Sequence, residues 1–175
     1  MKILLVVVLT TTALVLWYSC RPTRNLPVVS VDLKKYQGRW YEISSIPLRF
    51  SRNCACTFAE YTADEQGFVR VYNQCLNTKT NSIDSIRGKA FPVKNSGNGK
   101  LKVQFFWPFR GDYYIIDLDS NYQRAMVGSP DRNTLWILSR EKTMDESTYR
   151  SCLDKATTLG FDVGRLRRTR QDCKN

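Results

Sequence analysis

Short segments in which hydrophobic and polar residues alternate run through the chain from Gly38 onward, and clusters of turn residues separate them. Turn residues recur at a spacing of roughly 8–12 positions, which is typical of all-β sandwiches and barrels. Eight segments are predicted as strands: residues 39–46, 55–63, 68–76, 83–93, 100–107, 113–118, 122–129 and 134–140. The connections are short, so we expect consecutive strands to pair antiparallel, with a kink or bulge at Gly88 in the fourth strand.

One amphipathic helix follows the last predicted strand. Thr143 and Glu146 fit a capping box at the start of a helix. Apolar residues then recur at helical spacing on one face, namely Tyr149, Cys152, Leu153, Ala156 and Leu159, and Gly160 is a natural stop. The pattern predicts an all-β domain: an eight-stranded antiparallel up-and-down barrel with one C-terminal α-helix packed outside. A barrel of eight strands is wide enough for its own side chains or for one small ligand.

The N-terminus has the features of an export signal. Lys2 is followed by an apolar run over residues 3–18, which ends at Ser19 and Cys20. This pattern predicts a lipoprotein-type signal peptide over residues 1–20, with Cys20 as the acylated residue. An uncleaved anchor, and ordinary secretion with Cys20 as a free thiol, are the alternatives. Residues 21–30 contain two prolines and two arginines and are predicted to form an extended tether, followed by one domain over residues 31–175.

The amino-acid composition limits the catalytic mechanisms, metal sites and binding partners that the chain can have. The 175 residues contain no histidine, which excludes Ser-His-Asp catalysis and histidine-ligated metals. Lys and Arg number 27 against 16 acidic residues, for a net charge of +11. Export makes nucleic acid a poor partner. We therefore interpret the basic tail as a solvated face or as a contact for anionic lipid; it contains Arg165, Arg167, Arg168, Arg170 and Lys174.

Several motifs carry a resemblance to a known family. Gly38, Trp40 and their neighbours match a Gly-x-Trp opening motif, and residues 135–140 match a late strand that ends in a characteristic arginine, Arg140. Residues 105–113, 118–122, 128–132 and 160–162 add further matches in the same order. The set covers residues 31–171 and resembles the lipocalins, above all the bacterial outer-membrane lipoproteins grouped with apolipoprotein D and the temperature-induced lipocalins.

The resemblance implies roles for individual residues. Gly38, Trp40 and Arg140 are expected to be structural, with the arginine packed over the indole to close one barrel end. The pocket candidates are Trp136, Leu138, Tyr61, Asn73, Tyr113 and Trp107. Plain core packing is the alternative for Trp136, and a backbone-satisfied amide is the alternative for Asn73. The apolar residues 105–109 are interpreted as a lip at the open mouth, or else as packing beneath neighbouring loops.

Antiparallel pairing of the second and third strands places Cys54 or Cys56 near Cys75, and the resemblance implies a tie from the second strand to Cys173 in the tail. We expect Cys54–Cys75 and Cys56–Cys173, with the first-named partners interchangeable, and a buried free thiol at Cys152. A metal-binding role for the Cys-x-Cys pair has no histidine to support it, so no metal and no cofactor are expected.

The expected function is that of a binding protein and not of an enzyme. The resemblance implies a barrel that carries or stores a lysophospholipid, a fatty acid or a similar hydrophobic molecule, in membrane maintenance or stress repair. The domain is expected to be a monomer or weak homodimer that Cys20 anchors to the outer membrane, or alternatively a secreted one. A lipocalin-fold enzyme of the isomerase type, using Glu42 or Glu60, and a ligand-free structural protein are the other hypotheses.

Overall fold

The structure is a computed structural model that describes residues 26–49 and 51–173. Its elements are α1 (Leu33–Tyr36), β1 (Gly38–Ser45), β2 (Cys54–Ala63), β3 (Val69–Asn77), β4 (Ser82–Pro92), β5 (Lys100–Gln104), β6 (Gly111–Leu118), β7 (Arg124–Gly128), β8 (Leu135–Ser139), α2 (Glu146–Thr158), a 3-10 turn (Val163–Arg165) and β9 (Arg167–Arg168). The predicted signal peptide and Cys20 lie outside the described residues. Within those ranges, neither helix has the length and apolar character needed to cross a membrane.

The strands close into a barrel. Each of β1 to β7 pairs antiparallel with the next strand, and β8 pairs with β1 to close the barrel. The predicted eight-stranded up-and-down barrel with one C-terminal helix outside is therefore confirmed. The pairing between β1 and β2 stops at Tyr41 and Phe58, and β9 then continues along β1 from Ser44.

Alternation along the strands separates the barrel interior from the face under α2. The interior cluster contains Val31, Tyr36, Trp40, Tyr61, Val69, Val71, Ala90, Leu101, Ile115, Ala125, Val127 and Leu138. A second cluster joins the outer face of the sheet to Tyr149, Cys152 and Ala156 of α2. Of the adjacent pair Tyr113 and Tyr114, the first packs inside and the second outside.

Two turn-related predictions are corrected. The fifth strand ends at Gln104 instead of residue 107, because residues 105–108 already turn toward β6. The N-cap of α2 is Asp145 and not Thr143: the Asp145 side chain accepts a hydrogen bond from the Thr148 N–H at 2.8 Å. Both residues are good caps, but only Asp145 lies three positions before a free helical N–H.

The alternative of a bulge at Gly88 is wrong, because the pairing of β3 with β4 runs through this residue without a register shift. The bulges lie instead in β1, β2 and β6. A Cβ at Gly88 would lie 2.6 Å from the Gln104 carbonyl oxygen and 2.7 Å from a ring carbon of Phe105. The glycine is needed because Phe105 packs against the strand backbone.

The described part of the predicted tether lies against the barrel. Leu26 is buried in the cluster that includes Ile43 and Tyr149, and the Val29 N–H donates to the Ile115 carbonyl at 3.0 Å. Residues 26–30 are therefore in contact with the domain.

Candidate functional site

One end of the barrel is closed by Arg140 and Trp40. The Arg140 guanidinium carbon lies 3.9 Å from the centre of the indole. Its nitrogens donate to four backbone carbonyls, those of Lys35, Gln37, Arg39 and Tyr122. The indole N–H of Trp40 donates to the Tyr36 carbonyl at 2.8 Å, which holds α1 across the same end. The geometry is the one that the resemblance implies for this pair.

The wall of the interior brings together most of the predicted pocket residues. Tyr61 and Leu138 belong to the interior cluster, and Trp136 and Tyr113 pack against it while remaining half-buried. Asn73 faces the same way, because its cross-strand partner Ala59 is an interior residue. Trp136 pairs with Ser45 at the end opposite Trp40, so its partial exposure places the accessible part of the interior wall at that end.

Hydrogen-bonding groups are present on this otherwise apolar wall. The phenol oxygen of Tyr113 lies 3.0 Å from that of Tyr36 and 2.8 Å from that of Tyr61. The Oδ1 atom of Asn73 is buried and has no hydrogen-bond partner among the described residues. Burial raises the pKa of Tyr61 to about 12 and raises the pKa of Tyr36 and Tyr113 well above the ordinary value, so all three phenols are neutral at physiological pH.

The cations of the barrel strands lie away from the interior. Their contacts are Arg39 with Glu60, Arg70 with Asp64, Arg87 over Tyr72, Lys89 over Phe68, Lys100 over Tyr114, Lys102 with Asp112, and Arg124 with Asp117. Arg140 uses its guanidinium on backbone carbonyls at the closed end. The interior is therefore polar at a few points without carrying positive charge on these side chains.

Large hydrophobic side chains are exposed at the open end, one at the start of β4 and three on the β5–β6 connection. We call them together the aromatic rim: Ile83, Phe106, Trp107 and Phe109. Their exposed fractions are 59, 69, 86 and 77 %. The structure does not bring Trp107 to the interior group, because β5 ends before it and the turn carries its side chain out to solvent. Phe105 packs against the interior cluster. Exposed cations lie on the connections at this end: Arg49 and Arg52 between β1 and β2, and Lys79 between β3 and β4. Arg110, also exposed, lies over Phe91, 4.2 Å from the ring centre.

The C-terminal tail fills the gap where β1 and β2 separate, which we call the seam. The Cys56 N–H donates to the Arg170 carbonyl, and the Gln171 side chain donates to the carbonyls of Glu42 and Thr57. A disulfide joins Cys56 to Cys173, and another joins Cys54 to Cys75. Cys152 is a buried free cysteine. Both expected disulfides are confirmed, and of the two interchangeable cysteines it is Cys54 that pairs with Cys75 and Cys56 that pairs with Cys173.

The two carboxylates considered for catalysis lie in different settings. Glu60 is on the outside, 3.0 Å from Arg39, because its neighbours Ala59 and Tyr61 take the inward positions. The hypothesis that Glu60 is a catalytic carboxylate inside an apolar cavity is therefore wrong. Glu42 lies at the seam and accepts from Ser45 and Thr169; burial raises its pKa although both hydroxyls oppose the shift. In residues 26–49 and 51–173, no three potential ligand residues gather to hold a metal.

A shallow groove of about 490 Å³ lies on the outer face of β2, β3 and β4. Its lining includes Tyr72, Arg87 and Lys89, together with Glu60 and Asp64. Both carboxylates are paired with arginines, and these side chains point away from the barrel. The groove is therefore a surface depression that is separate from the interior.

Comparisons with known proteins agree with this geometry. Residues 31–171 match the family model described as a lipocalin-like domain. Temperature-induced lipocalin-1 of Arabidopsis thaliana is 39% identical over 153 residues, which cover 82% of this chain and 81% of that protein. The outer membrane lipoprotein Blc of Citrobacter freundii is 37% identical over 169 residues, covering 95% and 96%. The solved structure of insecticyanin from the tobacco hornworm Manduca sexta has a TM-score of 0.65 at 21% identity over 86% of this chain and 85% of that one, a likeness of fold alone.

Proposed function

This chain belongs to the lipocalin family, and we propose that it binds and carries a lysophospholipid, a fatty acid or a similar small lipid at the cell envelope, in membrane maintenance or stress repair. One observation carries the proposal. The inward wall that includes Trp136, Leu138 and Val103 is largely apolar, is closed at the Trp40 end and is half-exposed toward the other.

Apolar burial is sufficient for useful affinity in such a barrel. A micromolar dissociation constant corresponds to about 8 kcal/mol. At about 25 cal/mol per Å², burial of roughly 300–400 Å² of apolar surface supplies that free energy before the cost of immobilising the ligand. A single acyl chain offers this area.

A place at the membrane is supported by the relatives and by the open end. Relatives such as the Citrobacter freundii protein are named outer membrane lipoproteins, and Cys20 is the residue that we propose to be acylated. The aromatic rim presents Trp107 and two phenylalanines beside exposed cations. Tryptophan favours the boundary between apolar and polar phases, and each cation near an anionic bilayer contributes about 1 kcal/mol. The rim would thus hold the mouth against the lipid that it serves.

The direct test is to identify what the protein carries. The mature chain is purified from a membrane fraction and extracted with organic solvent, and the extract is analysed by mass spectrometry. We expect a lipid in stoichiometric amount. Trp136→Ala should reduce the amount recovered, whereas Trp107→Ala, on the rim, should leave it unchanged in detergent. A barrel that comes out empty and also fails to bind added lysophospholipid or fatty acid contradicts the proposal.

A further inference from the structure

Three phenol groups inside the barrel have one proton more than their mutual hydrogen bonds use. Tyr36 and Tyr61 both have their oxygens within 3.0 Å of the Tyr113 oxygen. Three phenols supply three protons, whereas the two bonds consume two. Among residues 26–49 and 51–173, one phenol proton therefore has no acceptor.

Exposure decides which phenol keeps the spare proton. Tyr36 and Tyr61 are 2 % and 4 % exposed; the phenol group of Tyr113 is buried as well, but part of its side chain remains exposed. An O–H without an acceptor costs most where water cannot reach it. The favoured arrangement has Tyr36 and Tyr61 donating to Tyr113, and this leaves the Tyr113 proton available to the interior.

Asn73 offers the complementary group. Its Oδ1 atom is buried and receives no hydrogen bond from the described residues. Val71 pairs with Tyr61, and Asn73 is the next inward position along β3 toward the open end. The terminal torsion of an asparagine side chain is soft, so the amide can turn toward a ligand beside Tyr61.

The charge of the interior then limits the ligand class. The strand cations are engaged outside the barrel or at its closed end, so an ionised carboxylate or phosphate gains no ion pair from them inside. We propose that the ligand enters the barrel with an uncharged, hydroxyl-bearing end, which accepts from Tyr113 and donates to Asn73, and that any charged headgroup stays at the rim. This inference rests on the proposed function and narrows it. A plain fatty acid or lysophospholipid whose charged headgroup stays at the rim presents only a methyl end to Tyr113 and Asn73, so the lipid that fits carries an uncharged hydroxyl at the end that enters.

Three probes of one chain length test the proposal: dodecanol, dodecyl chloride and dodecanoate at pH 8. Each displaces the apolar dye phenylnaphthylamine from the mature chain, and the fluorescence loss gives its dissociation constant. The variants are Tyr113→Phe and Asn73→Leu. The matched control is Tyr114→Phe, because that neighbouring ring lies on the outer face.

We expect each inner variant to weaken dodecanol binding about three- to tenfold, the usual effect of losing one neutral hydrogen bond. Dodecyl chloride should bind with unchanged affinity, and Tyr114→Phe should change neither ligand. Wild-type protein should bind dodecanoate more weakly than dodecanol. Because Tyr113→Phe also removes the acceptor of Tyr36 and Tyr61, a variant with all three tyrosines changed to phenylalanine is measured as well.

Equal losses for dodecanol and dodecyl chloride in the inner variants would overturn the inference, as would tighter binding of dodecanoate than of dodecanol. If a tyrosine variant fails to fold, Asn73→Leu alone decides: its loss of affinity for dodecanol is compared with its loss of affinity for dodecyl chloride. If dodecyl chloride binds but no variant weakens dodecanol binding more than dodecyl chloride binding, the inference fails and the carrier function stands. When none of the three ligands binds wild-type protein, the carrier function itself fails and the inference falls with it.

Discussion

Gln171 bridges the two strands that separate at the open end: its side-chain amide donates to the carbonyl of Glu42 in β1 and to that of Thr57 in β2. One side chain of the tail thus replaces ladder hydrogen bonds that β1 and β2 no longer make with each other. The disulfide between Cys56 and Cys173 fastens the tail in this position.

Removing the tail disulfide should cost more stability than removing the one within the sheet. The chain-entropy model gives about 5 kcal/mol for a loop of the Cys56–Cys173 length and about 3 kcal/mol for the Cys54–Cys75 length, whose sequence separations are 117 and 21. Urea unfolding of the two double-serine variants measures both losses. The variant without the Cys54–Cys75 disulfide should be the less stable of the two only if β9 and Gln171 hold the tail in place without the Cys56–Cys173 disulfide.

Glu42→Gln should make the protein less sensitive to pH. Burial raises the folded-state pKa of Glu42 above its unfolded value, so the stabilisation is fully present below the unfolded pKa of about 4.3 and is lost as pH rises through the folded pKa. A neutral glutamine still accepts from Ser45 and Thr169 through its carbonyl oxygen. We expect the variant to unfold at a higher urea concentration than wild type at pH 7, with the difference vanishing toward pH 4. A larger gain at acid pH than at neutral pH would contradict the assigned sign.

Arg140→Lys should destabilise the closed end even though it preserves the charge. Lysine cannot donate in the planar fork that reaches the carbonyls of Lys35, Gln37, Arg39 and Tyr122. Loss of these bonds and of the stacking on Trp40 should cost about 2–4 kcal/mol. Urea unfolding followed by intrinsic tryptophan fluorescence measures the loss. Lys142→Arg, in the next loop, is the control and should leave the midpoint unchanged.

Much of this arrangement could be predicted from alternation alone, and the failures have physical causes. Period two puts Trp136 on one face with Leu138 and Arg140, and Trp136 does pack against the interior cluster. The same rule, applied to β2, excludes Glu60 because it is adjacent to the inward Tyr61. Trp107 was misplaced because alternation predicts a facing only while the strand continues, and β5 ends at Gln104.

The sequence pattern did not reveal the other part of the site. Tyr36 lies on a four-residue helix, too short to show a periodic signal, so its place in the tyrosine cluster could not be predicted. The disulfide between the tail and β2 was expected, but the pairing of the tail with β1 was not, since β9 is two residues long and its pairing depends on where β1 and β2 separate.

Gly88→Ala should destabilise the protein although the residue lies in a regular strand. The new Cβ would meet the Gln104 carbonyl oxygen and the Phe105 ring at less than 3.0 Å. Overpacking of this kind typically costs about 1–3 kcal/mol. Gly111→Ala is the matched control, because nothing lies within 4 Å of its Cβ position and it is also a strand glycine. Thermal unfolding of the two variants should separate them clearly, and equal midpoints would mean that Phe105 moves away without cost.

The aromatic rim should bind membranes independently of the lipid anchor. In the mature chain with Cys20→Ser, replacing Phe106, Trp107 and Phe109 by serine should reduce sedimentation with both neutral and anionic phospholipid vesicles. Replacing Arg49, Arg52 and Lys79 by serine should reduce it for anionic vesicles alone, by up to about 3 kcal/mol at low salt. Lys94→Ser removes one exposed cation from the β4–β5 loop at the opposite end and is the control. If all these variants sediment like the parent chain, the exposed rings do not contact lipid, and the anchor alone would have to hold the barrel at the membrane.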